Sequence, residues 1–128
     1  MSDHAYEQRE RQIFHSDLTA VDRASLSDRK ESCALFTEIM REQPDLVAER
    51  IGWLLDGNYG YGAMQAAKEV LKHKRMNRRA WLTHTIGALE WRCPQRMAIE
   101  GWKKLTAAEK KALDRAVDRA IESAEKSD

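Results

Sequence analysis

The residues best suited to contact a partner lie in Lys72-His73-Lys74-Arg75-Met76-Asn77-Arg78-Arg79, where five of eight are Lys or Arg. Cationic clusters of this density bind phosphates or acidic protein segments. Lys72, Lys74 and Arg75 end one predicted helix, where positive charge favours the helix dipole. Arg78 and Arg79 begin the next, where positive charge opposes it. Dipole electrostatics therefore account for the first three and not for the last two. Contact with nucleic-acid phosphates would explain Arg78 and Arg79. So would a solvated turn, or salt bridges to the acidic N-terminal half of the chain.

A second candidate is the loop Gly57-Asn58-Tyr59-Gly60-Tyr61-Gly62. A phosphate-binding loop needs a preceding strand and a Lys after its last Gly. Here a helix precedes and no Lys follows, so the glycines are read as a helix stop and a sharp turn. Tyr59 and Tyr61 then either pack on the domain or stand out as contact residues, a role that suits a large, stiff, amphipathic side chain.

Catalytic and metal chemistry find little support. His4, His15, His73 and His84 have no partner at metal-ligand spacing. His84 falls on an apolar helix beside Trp81, where a half-buried, hydrogen-bonded histidine is expected. The serines Ser16, Ser25, Ser27, Ser123 and Ser127 fall at caps and tails, not in a nucleophile–base pattern. Cys33 and Cys93 form no Cys-x-x-Cys pair and are expected to be reduced and buried. No cofactor and no small-molecule ligand is evident, and the chain is not expected to be an enzyme.

These residues must be positioned by helices. No segment alternates with period two. Cys33, Phe36, Ile39 and Met40 share a face of a helix over 28–42, which the cluster Ser25-Leu26-Ser27-Asp28 would start. Pro44 suits the first turn of a helix over 44–55, with Val47, Ile51, Leu54 and Leu55 inward. A helix over 62–75 carries Ala63, Ala67, Val70 and Leu71. Asn77 can cap a helix over 78–92, apolar on two stripes: Leu82, Ile86 and Leu89, and Trp81, Ala88 and Trp91. Such a helix is expected to be central, with Trp81, Leu82, Ile86 and Leu89 among the most buried residues. Its tryptophans are read as core. A shorter helix, 94–104, aligns Ala98, Trp102 and Leu105. Thr106-x-x-Glu109 is a capping box opening a helix over 107–124, with Leu113, Val117, Ile121 and Ala124 inward.

The expected fold is all-α: a compact bundle of five to six short helices, with mostly antiparallel neighbours because the connections are short. Residues 17–128 form the single domain, and a short helix starting at Asp17 would turn Leu18 and Val21 inward. Residues 1–16 are too polar to anchor themselves and are expected to form a mobile N-terminal arm, although Tyr6, Ile13 and Phe14 could dock.

The 128 residues are 42% apolar and 34% charged, ordinary for a single soluble domain. The net charge of +1 hides a segregation: −5 over 1–61, +7 over 62–105 and −1 over 106–128. No secretory leader or membrane span is visible, so a cytoplasmic location is expected. The helix over 78–92 has too few polar side chains to read base edges, which argues against sequence-specific DNA recognition.

Antiparallel packing would bring Lys103 and Lys104 to the 72–79 turn, gathering Lys72, Lys74, Arg75, Arg78, Arg79, Lys103 and Lys104 at one end. The function expected first is therefore binding: a small intracellular adaptor that holds a protein partner or a second copy of itself. The alternative is a nucleic-acid-associated regulator touching phosphates through the same basic end.

Overall fold

The computed structural model describes residues 26–127. The N-terminal arm, the short helix at Asp17, His4 and His15 lie outside the described residues. Within them the fold is all-α, a bundle of six helices: α1 (Leu26–Glu42), α2 (Pro44–Leu55), α3 (Tyr61–Lys72), α4 (Arg78–Trp91), α5 (Gln95–Lys103) and α6 (Ala107–Ser127).

Local chemistry explains most boundaries. Pro44 sits in the first turn of α2, where its missing N–H costs nothing. Gly57 and Gly60 carry the turn out of α2 with φ of 91° and 103°, conformations that favour glycine. Asn77 Oδ1 accepts the Ala80 amide at 3.2 Å and caps α4. The capping box closes in both directions: Glu109 N–H donates to Thr106 Oγ1 at 3.1 Å, and Thr106 N–H donates to Glu109 Oε1 at 2.8 Å. The helix predicted over 62–75 ends sooner, at Lys72, and His73 is already extended. The residues up to Asn77 are needed to turn the chain and cap α4, so they cannot also continue α3.

Helix α4 is the centre of the bundle and touches every other helix. Leu82 to Ala88 are buried without a break. Leu82 and Ile86 are fully buried as the apolar pattern predicts, but Trp81 and Leu89 are only partly buried. Thr83, His84 and Thr85 are buried instead. Helices pack on all sides of α4: Thr85 Oγ1 accepts from Gln95 Nε2 at 2.9 Å, and Gly87 allows close approach to α1. A Cβ there would lie 2.5 Å from Phe36 Cε2, so only glycine admits the Phe36 ring of α1. Phe36 stacks in turn on Trp91 at 5.3 Å between centroids. The tryptophans are marginal and not central: Trp53 is exposed and Trp81, Trp91 and Trp102 are half-buried. Leu, Ile, Val, Met and Phe side chains from α1, α2, α4 and α6 fill the core.

The expectation of two separate reduced thiols is corrected. Cys33 of α1 and Cys93 are paired as a disulfide, with Cα atoms 4.8 Å apart. Arg92 makes this possible by ending α4 in the left-handed conformation, φ 57°. The Cys93 amide then donates to the Gly87 carbonyl at 3.0 Å, which points the chain back at α1. Sixty residues of sequence separation gave no local signal of this meeting.

Candidate functional site

The chain reverses at both ends of α4, which fixes where the candidate residues stand. At its C-terminal end Glu90 meets the Gly57–Gly62 loop. The Tyr59 hydroxyl donates to Glu90 Oε2, and Arg50 Nε of α2 lies 3.4 Å from Glu90 Oε1. Burial, then the Glu90 carboxylate, holds the Tyr59 phenol well above its ordinary pKa. Tyr59 is thus a packing residue that ties the loop to α2 and α4. Tyr61 is exposed at the start of α3. The structure separates two tyrosines that the sequence left as a pair.

At the N-terminal end of α4 the basic residues divide into two kinds. Arg78 Nη1 donates to the Leu71 carbonyl at 2.8 Å, satisfying one of the last carbonyls of α3, and to Glu125 Oε1 at 2.6 Å. Arg79 Nη1 lies 3.1 Å from Asp118 Oδ2 and 3.7 Å from Asp114 Oδ2. Burial raises the Asp114 pKa, opposed by Arg79 and reinforced by the Asp118 charge. The opposition to the helix dipole is answered by these acids. They lie on α6, not in the acidic N-terminal half that the sequence made the first suspect. The signal was present: Asp114, Asp118 and Glu125 fall at i, i+4 and i+11, one stripe of a helix.

The other cations are less engaged. Among the described residues Lys72 reaches only Glu69, at 4.0 Å, and Lys103 only Glu100, at 3.3 Å, both between exposed side chains. Lys74, Arg75 and Lys104 are exposed and form no ion pair among the described residues. Lys103 lines one cavity with Met76, Asn77 and Arg79, which puts this one lysine of α5 beside the α3–α4 turn.

That cavity encloses about 530 Å³ between α4, α5 and α6. Met76, Ala80, Trp81, Ile99 and Trp102 give it an apolar wall; Arg79, Lys103 and Asp114 supply charge. Met76 and Ile99 are two of the five large apolar side chains that the described residues leave exposed, so this end concentrates unburied apolar surface. His84 also lines the cavity. The residue is 8% exposed and its Nδ1 has no hydrogen-bond partner among the described residues, unlike the satisfied histidine expected. Burial pushes its pKa down to about 4, so the ring is neutral near pH 7. The sequence reading missed the cavity because it took the Trp81 stripe as core.

A second groove, about 390 Å³, runs along α2 and α6. Ala48, Gly52, Ala116 and Ala120 line it, with Asp45, Glu49 and Asp56 beside them. Among the described residues, no group of three or more His, Cys, Asp or Glu could hold a metal ion. No helix among them is long and apolar enough to cross a membrane. Comparison with protein-family models, curated proteins and solved structures gave no match.

Proposed function

We propose that this chain is a non-catalytic helical binding module whose basic end docks an acidic segment of a protein partner. One observation carries the reading: Lys74, Arg75 and Lys104 are exposed and form no ion pair among the described residues, and Met76 stands exposed beside Arg75. Free cations beside bare apolar surface match a protein segment that mixes carboxylates with apolar side chains. Nucleic acid is the weaker occupant, because Arg78 and Arg79, which most invited phosphates, are already matched by Glu125, Asp118 and Asp114. A cytoplasmic location is part of the proposal, and the Cys33–Cys93 disulfide is the one observation that weighs against it.

Fluorescence anisotropy tests this with a labelled peptide of alternating Glu and Leu, a single-stranded DNA and a duplex, each at low and high salt. The peptide is expected to bind at low salt and to lose affinity as salt rises. A K74E/R75E/K104E variant is expected to lose peptide binding and keep its helical circular dichroism. Binding of the DNAs in preference to the peptide would favour the nucleic-acid regulator instead. Concentration-dependent dimerisation abolished by the same variant would make a second copy the partner, through the acids of the α2–α6 groove. No binding and no dimer would remove the reading.

A further inference from the structure

Beyond protein docking, we infer that the cavity between α4, α5 and α6 is a binding site for a small aromatic carboxylate. The inference does not depend on the protein-docking reading, because the cavity is formed by this chain alone. Its volume, about 530 Å³, lies within the range of small-molecule sites. Trp81, Ile99 and Trp102 supply an apolar wall with two indoles, suited to a planar ring. Lys110 Nζ lies 4.6 Å from the centre of the Trp102 ring, a cation–π contact that helps hold this indole in place before any ligand arrives.

The polar groups select the charge. Arg79 is occupied by Asp114 and Asp118, so it offers little to an incoming anion. Among the described residues Lys103 is bound only to Glu100, and both side chains are more than half exposed, at 60% and 64%. An exposed pair of this kind is worth little and is exchanged readily. Lys103 can therefore turn its ammonium to a carboxylate at the cavity mouth. The His84 ring adds a second polar feature to the apolar wall. More than nine-tenths buried, it carries a nitrogen with no partner among the described residues.

Isothermal titration with biphenyl-4-carboxylate, and with biphenyl-4-methanol as its neutral twin, tests the site on the full chain. The carboxylate is expected to bind one to one with a Kd on the order of 100 µM. The alcohol should bind about fivefold or more weakly, and Lys103→Gln should remove that preference while leaving alcohol binding unchanged. Ala80→Phe, which fills the cavity from the first turn of α4, should abolish both. Trp53→Leu, on α2 and outside the cavity lining, should change neither. Equal binding by Ala80→Phe and the native chain, with its helical content intact, would overturn the site. An unchanged carboxylate preference in Lys103→Gln would overturn the assignment of charge. Absence of heat from either compound at millimolar concentration would overturn the proposal outright.

Discussion

At His84 a buried ring stands neutral with one nitrogen unpaired, and this makes the fold sensitive to acid. The folded-state pKa, about 4, lies below the ordinary 6.5 because burial penalises the charged ring. The folded state therefore binds fewer protons than the unfolded chain between those values. The contribution of His84 is fully present above pH 6.5 and is lost as pH falls toward 4. Replacing the residue by Gln removes that titration. Urea unfolding at pH 7 and pH 5 should show the native chain losing more stability over this interval than His84→Gln; equal losses would mean the ring is solvated. Leu82 tests packing more simply. It is fully buried at the centre of α4, so Leu82→Ala should cost ~2–5 kcal/mol in the same assay. A loss well under 1 kcal/mol would place α4 at the periphery. Leu82 and Ile86 were legible from helical periodicity. The burial of Thr83, His84 and Thr85 was not, because it follows from the packing of all five other helices around α4.

Elements were the most legible level. Pro44, Asn77 and the Thr106–Glu109 box mark helix starts by local hydrogen-bond chemistry, and local chemistry is what a sequence displays. How the helices meet is displayed far less. The disulfide between α1 and the α4–α5 turn illustrates this, since Cys33 and Cys93 carry no mutual signal. The cross-link also makes a prediction at this scale. Closing a loop of sixty residues removes unfolded-state entropy worth on the order of 4 kcal/mol. The oxidised protein should therefore unfold at higher urea than the reduced one, and a Cys33→Ser variant should match the reduced protein and ignore reductant. Identical midpoints with and without reductant, in protein whose thiols resist alkylation before reduction, would show that the cross-link adds nothing. Both cysteines being buried, reduction should be slow until the fold opens.

For the whole molecule, the charges segregated along the sequence are partly matched across helices, Arg78 and Arg79 by acids of α6 and Asp45 by Arg119. The basic middle segment supplies the end built by the α3–α4 turn and Lys103, where Asp114 also stands, and the groove along α2 and α6 holds Asp45, Glu49 and Asp56 with Arg119, which pairs with Asp45. The convergence of Lys103 with the 76–79 segment was legible from helix lengths and short connections. The neutralisation of Arg78 and Arg79 by α6 was not, since it required knowing which face α6 turns to α4. Setting aside those two arginines, and Lys72 and Lys103 with their exposed partners Glu69 and Glu100, leaves Lys74, Arg75 and Lys104 of the seven basic residues without an ion pair among the described residues, with Met76 beside Arg75. The most direct measurement is an amide chemical-shift map of the full chain titrated with the Glu–Leu peptide at low salt. The perturbed amides should cluster over residues 72–77 and 103–105, and the shifts should vanish in K74E/R75E/K104E. Shifts confined to the α2–α6 groove, or no shifts at millimolar peptide, would contradict a basic docking end.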